Sequence, residues 1–144
     1  MQKIVNHLFL GHLIGMLGGD VDSTFEKYKN IDSNSKEVVV HVIRQDVIPV
    51  IQSYASLVQE RIRNTLQYYL ATNEINFSDI FNSYLIPFDH PRLAKDFFIW
   101  IWEEWFPEES YKLSETDEYI VLNDDKKAFN DYYKVCQIKM PPGY

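Results

Sequence analysis

The sequence predicts a mostly α-helical protein, folded as one compact domain of about six or seven helices around a central aromatic helix at residues 90–105. Three observations predict this fold. The length of 144 residues suits a single domain. The residues are 46% hydrophobic and 15% aromatic, which is enough to form a core. Apolar residues recur every three or four positions between Val50 and Asn73, and the aromatic run near residue 100 is itself at helical spacing.

The central helix is predicted within Asp89 to Glu109, which reads DHPRLAKDFFIWIWEEWFPEE. Asp89-His90-Pro91 is a typical helix start, because Asp caps free backbone N–H groups and Pro is tolerated in the first turn. One helical stripe carries Leu93, Phe97, Ile101 and Trp105. Most of the remaining circumference is also apolar, which indicates burial by neighbours on several sides.

The elements before it are predicted from local signals. Residues 3–17 form an apolar helical stripe that stops at Gly18-Gly19, and Gly11 and Gly15 leave room for another helix to approach closely. Ser23 and Glu26 have capping-box spacing, which predicts a short helix from Thr24 to about Asn30. Residues 32–35 are polar and predict a loop.

Residues 37–44 (EVVVHVIR) are ambiguous, since their valines suit a strand while Val39, Val42 and Ile43 also form a helical stripe. Helix is favoured because no pairing partner lies nearby. Pro49 then breaks or restarts the segment. An amphipathic helix follows over six turns and ends near Asn73.

Three further segments complete the chain. Asn76 is predicted to begin a helix that stops at Pro87. Residues 119–122 (YIVL) suit either a brief strand or an extended segment, and this alternative stays open. Asp124 is predicted to cap a last helix, and residues 140–144 a loose tail.

The net charge of −7 is unevenly distributed. Residues 1–72 carry seven acids and seven bases, whereas residues 73–144 carry fourteen acids and seven bases. Residues 103–125 hold nine acids against Lys112 alone. Such a surface repels nucleic-acid phosphates and attracts basic proteins, so direct nucleic-acid binding is not expected.

No catalytic, nucleotide-binding or metal-binding motif occurs, and neither an enzyme nor a cofactor is predicted. His7 and His12 lack the spacing of a zinc helix and are each expected at the surface or capped, while His41 is expected to be buried and neutral among valines. Cys136 is expected to be a buried, inert thiol. No segment is long enough to cross a membrane, and His7 and His12 interrupt the apolar run that a signal peptide needs.

The acidic and aromatic region is the predicted site, because Tyr and Trp anchor protein interfaces and complementary charge speeds encounter with a basic partner. The expected partner is a basic protein, such as a nuclease. The predicted partner-binding residues are Glu103, Glu104, Trp105, Glu108, Glu109, Tyr111, Glu115, Asp117, Glu118, Tyr119, Asp124 and Asp125.

In overall character, and in segments such as YLIPFDHPRLAKDFFIWIWEEWFPEESY, the chain resembles the bacterial immunity proteins that neutralise toxins delivered by secretion or cell contact. The resemblance implies action in the cytoplasm, a one-to-one complex with a cognate toxin, and a blocked active site or adjacent surface. Immunity proteins share no general motif, so it assigns no residue.

Two other functions remain open. One is a small ligand-binding α-domain or enzyme with an aromatic pocket lined by Trp100, Trp102, Tyr68 and Tyr69. The other is an adaptor that dimerises through the Leu57–Leu70 helix.

Overall fold

A computed structural model describes residues 2–17, 26–84 and 88–137. Within them the mostly α fold is confirmed, with one two-stranded sheet. The elements in chain order are β1 Gln2–Val5, α1 Leu8–Gly15, α2 Lys36–Val42, a π-helical segment Ile43–Val47, α3 Ile48–Ser53, α4 Ser56–Thr72, α5 Phe77–Asn82, α6 Ala94–Trp105, β2 Glu118–Val121 and α7 Asp125–Val135.

The first element is a strand, so the prediction of one helix over residues 3–17 is wrong at its beginning. β1 pairs in parallel with β2, with Gln2 opposite Glu118 and Val5 opposite Val121. The β-branched Ile4 and Val5 suit a strand once a partner is present. The same pairing resolves the alternative at residues 119–122 in favour of a strand, which covers Glu118–Val121 and leaves Leu122 outside.

A buried asparagine joins β1 to α1. The Asn6 side chain is fully buried and accepts a hydrogen bond from the backbone N–H of Leu8 at 3.1 Å. Its amide nitrogen donates to the carbonyl of Ala128 at 2.9 Å and to Asp131 at 3.0 Å. Arg61 of α4 donates to the same Asp131 carboxylate at 3.0 Å. These bonds tie the start of the chain to α4 and α7.

Residues 36–53 are helical throughout, which confirms the helical reading of residues 37–44. Ser35 caps α2 by accepting from the N–H of Val38. A π-helical segment follows, and Pro49 lies in the first turn of α3. Because Pro49 lacks an N–H and its ring crowds the carbonyl four residues earlier, regular α-helical hydrogen bonding is interrupted at this point.

The amphipathic helix predicted from Val50 to Asn73 is divided into two. Tyr54 is extended, with ψ of 158°, and separates α3 from α4. The Gln59 amide donates to the Tyr54 carbonyl at 2.9 Å, which satisfies a backbone acceptor at the break. The predicted end is confirmed, since Asn73 adopts the left-handed φ of 57° of a C-terminal cap.

The aromatic helix α6 is central, as predicted, but shorter than the predicted 90–105. It begins at Ala94, because the backbone of Leu93 is extended. Leu93 provides no side-chain cap, and the predicted start at Asp89-His90-Pro91 lies outside the helix. Leu93 is 64% exposed and does not join the core stripe. The buried face of α6 packs against α2 to α5 and the π-helical segment, and it carries Ala94, Phe97, Phe98, Ile101 and Trp102.

Two predicted caps are confirmed. Asn76 accepts from the N–H of Asp79 at 3.2 Å to begin α5, which ends at Asn82. Asp124 accepts from the N–H of Lys127 at 3.1 Å to begin α7. The predicted stops at Gly18-Gly19 and Pro87, the Ser23 cap and the tail at 140–144 lie outside the described residues.

Candidate functional site

The twelve predicted partner-binding residues lie along the end of α6, the loop that follows it, β2 and the start of α7. Five are half-buried: Glu104, Trp105, Tyr111, Asp117 and Tyr119. The other seven are exposed: Glu103, Glu108, Glu109, Glu115, Glu118, Asp124 and Asp125.

Four of the nine acids form ion pairs with bases from the first half of the chain. The pairs join Glu103 to Lys36 at 3.6 Å, Glu104 to Arg44 at 3.0 Å, Glu109 to Arg63 at 2.9 Å and Asp117 to Lys3 at 2.9 Å. The hydrogen bond from Lys3 lowers the pKa of Asp117. The excess of acid in the sequence is therefore partly neutralised by folding.

The adjacent acids Glu103 and Glu104 reach different bases, on α2 and on the π-helical segment. They therefore do not face one substrate as an acid–base pair, in agreement with the divergence expected of neighbouring residues on a helix. Arg44 donates through Nε and Nη2 to the two Glu104 oxygens, at 3.1 and 3.0 Å.

Cations lie over two of the predicted rings, Tyr111 and Tyr119, and over Phe106, which is next to the third, Trp105. Arg63 lies 4.3 Å from the ring centre of Phe106, which stacks on Trp105 at 4.5 Å. Lys95 lies 5.8 Å from the ring of Tyr111, and Lys3 lies 5.8 Å from that of Tyr119. The rings are thus neither sealed in the core nor fully free.

Three acids remain exposed and without a partner among residues 2–17, 26–84 and 88–137: Glu108, Glu115 and Asp125. Glu118 accepts a hydrogen bond from Gln2 at 3.4 Å, and Asp124 caps α7. We call Glu108, Glu115 and Asp125 the free acids, because they can pair with an external base without breaking an internal contact.

A second cluster, which the sequence did not indicate, surrounds His12 on α1. Its Nδ1 is 2.6 Å from the hydroxyl of Tyr132, and its Nε2 is 2.8 Å from that of Tyr54. Burial lowers the pKa of His12, so the imidazole is neutral at pH 7. The expectation of a surface or capped histidine is thus wrong for His12.

His12 and the tyrosines border a cavity of about 330 Å³. The described residues that line it are His12, Gly15, Met16, Tyr54, Tyr84 and Tyr132. Burial raises the pKa of Tyr132 to about 12, so its hydroxyl keeps its proton. A second cavity of about 330 Å³ shares His12 and Tyr54 and reaches Cys136. Burial raises the pKa of this half-buried thiol, as expected for an unreactive cysteine.

Gly11 determines where Tyr84 lies. A Cβ atom at Gly11 would be 2.3 Å from the Tyr84 hydroxyl, whereas one at Gly15 would be 3.5 Å from the nearest ring atom. The close approach predicted at these glycines is therefore made by a tyrosine ring, and Gly11 is the position that requires it.

Two other predicted positions differ in the structure. His41 is exposed because Val39 and Val42 occupy the buried face of α2, so the expectation of a buried imidazole is wrong. Of the predicted aromatic pocket, Trp102 is sealed in the core and Tyr69 is buried against Tyr68, with ring centres 5.3 Å apart. The tyrosine-lined cavity is built from other residues.

Within the part of the chain that the structure describes, no three His, Cys, Asp or Glu side chains are placed to hold a metal ion. No helix there combines the length and apolar character needed to span a membrane. Comparisons with models of protein families, with curated proteins and with solved structures found no significant match to this chain.

Proposed function

We propose that this chain is a non-enzymatic inhibitor of the immunity-protein kind, which acts in the cytoplasm by binding a basic toxin domain, such as a nuclease. The observation that carries the proposal is the set of free acids. In a segment with nine acids and one base, Glu108, Glu115 and Asp125 stay exposed with no partner among the described residues. An exposed, unpaired carboxylate is available to a lysine or arginine of another protein.

The neighbouring rings supply the apolar part of such an interface. Trp105, Phe106, Tyr111 and Tyr119 are half-buried, so each is held in place and keeps some surface for contact. Aromatic side chains are enriched among the residues that contribute most to binding, whereas charges at the rim mainly speed association. Binding would therefore depend on both, with ionic strength acting chiefly on the association rate.

The ion pairs show which acids are suitable for charge reversal in a test of binding. Reversal of Glu104 would place a lysine against Arg44, and reversal of Glu109 would do the same at Arg63, so a loss of binding there would mix recognition with local repulsion. The free acids avoid this ambiguity.

The test takes its partner from the neighbouring reading frame, which the proposal expects to encode a basic toxin domain. In the triple variant Glu108→Lys, Glu115→Lys, Asp125→Lys, calorimetry should show affinity falling by about 100-fold or more, and the cell should lose protection. Circular dichroism should remain that of the wild type, since exposed substitutions change stability little.

The matched control reverses three exposed acids outside the segment, Glu37, Glu60 and Asp89, which changes the net charge equally. It should bind nearly as the wild type does. Equal affinity of the wild type and the free-acid variant, or an equal loss in the control, would contradict the proposed surface.

A further inference from the structure

The cavity beside His12 has the character of a binding site for an uncharged molecule. Among the described residues that line it, the polar groups are an imidazole and three tyrosine hydroxyls, and none is Asp, Glu, Lys or Arg. A charged ligand would lose hydration there without gaining a counter-charge. Uncharged ligands are therefore favoured.

The hydrogen bonds of His12 leave one hydroxyl proton unused. A neutral imidazole carries a single N–H, so it donates to one tyrosine oxygen and accepts from the other tyrosine. The tyrosine that accepts still has its own proton. Neither Tyr54 nor Tyr132 makes another hydroxyl hydrogen bond within the described residues. One of them can therefore donate to a ligand.

Tyr84 adds a second donor. Its hydroxyl has no hydrogen-bond partner in the described ranges, and its ring lies over Gly11 at the cavity. Two available donors and flat tyrosine faces suit a ring that carries oxygen or nitrogen acceptors.

We propose that this cavity binds an uncharged, planar heteroaromatic molecule with a carbonyl acceptor, held by hydroxyls of the His12–Tyr54–Tyr132 cluster and by Tyr84. The volume of about 330 Å³ suits one or two rings, because a cavity of about 150 Å³ already holds benzene. This site uses none of the residues of the acidic surface and is independent of the proposed inhibitor function.

The experiment compares neutral probes with their carboxylates: nicotinamide with nicotinate, and uracil with orotate. Nuclear magnetic resonance follows the ring protons of His12, assigned by comparison with His12→Gln. At least one neutral probe should shift these signals with saturation, and its carboxylate should bind at least about tenfold more weakly, which corresponds to about 1.4 kcal/mol. Absence of saturation by both neutral probes, or equal binding of a neutral probe and its carboxylate, would overturn the proposal.

Two pairs of variants locate the binding. Tyr54→Phe with Tyr132→Phe removes the hydroxyls around His12 and should weaken the probe at least about tenfold, while Tyr133→Phe, outside the lining, should not. Probe binding to these variants is followed by the probe's own signals. Gly11→Ala pushes on the Tyr84 ring and should also weaken binding, and Tyr133→Phe, outside the lining, again serves as the control. Equal affinities within both pairs would show that the cavity is not the binding site.

Discussion

The molecule contains two arginine–carboxylate pairs of the same forked geometry in different surroundings. Arg61 and Asp131 belong to the polar network of Asn6, and their side chains are 11% and 14% exposed. Arg44 and Glu104 belong to the acidic region, with 59% and 24% exposure. Both pairs have a hydrogen bond of 3.0 Å, but only the loss of the first leaves a poorly hydrated charge. The comparison shows that the length of an ion pair does not determine how much it contributes to stability.

The largest expected effect is the loss of the inner carboxylate. Asp131→Ala leaves Arg61 partly buried without its counter-ion and removes an acceptor of Asn6. We expect a decrease in the free energy of unfolding of about 3–5 kcal/mol, measured by urea denaturation. Glu104→Ala should cost only about 0.2–1 kcal/mol, and less at high salt. Similar costs for the two variants would remove the distinction between the pairs.

The two glycines of α1 should respond in opposite directions. Gly15→Ala is expected to stabilise the protein by about 0.5–1 kcal/mol, because alanine favours helix and its Cβ meets only an ordinary contact. Gly11→Ala must displace the Tyr84 ring, so the same gain should be cancelled or reversed. Thermal unfolding of the two variants measures the difference. An equal gain at both positions would show that Tyr84 does not constrain Gly11.

The pH dependence of stability should separate His12 from the exposed charges. Because burial lowers the pKa of His12 from 6.5, the unfolded chain takes up a proton near pH 6.5 and the folded chain only at lower pH. The free energy of unfolding should therefore fall as the pH drops below about 6.5, until the folded pKa is reached. His12→Gln should show a smaller fall between pH 7.5 and 5 in urea titrations. An unchanged pH slope in the variant would assign the effect to other groups.

The smallest expected change is the effect of the free acids on stability. The triple reversal of Glu108, Glu115 and Asp125 should alter the free energy of unfolding by no more than about 0.5 kcal/mol per site, because these exposed side chains make no hydrogen bond or ion pair with the described residues. A large destabilisation would show that the acids serve the fold, and it would weaken the proposed role in binding.

Local signals predicted the helix boundaries that depend on a few neighbouring residues. Asn76 and Asp124 cap their helices through backbone N–H groups three positions ahead, and Asn73 ends α4 through its own φ. The break at Tyr54 was not visible, because the hydrophobic period continues through it. The start of α6 was placed too early, because the Asp-Pro signal at residues 89–91 is used in the preceding loop.

Long-range contacts account for the remaining differences between the predicted and the observed structure. β1 was read as helix because its partner lies 116 positions away. The sequence showed the acidic segment but not the bases that neutralise part of it, which come from residues 3 to 63. His12 meets tyrosines 42 and 120 positions away, so no spacing in the chain could indicate the cluster.

The pairing of β1 with β2 also limits how early folding can be completed during synthesis. Residues 2–5 are made before the other elements that the structure describes, and of those elements only α7 follows their partner strand β2. At about 5–20 residues per second, the first strand waits roughly 6–24 s with its hydrogen-bonding edge unsatisfied. A nascent chain halted before residue 118 therefore lacks both the strand that pairs with β1 and the helix α7 that accepts the hydrogen bonds of Asn6.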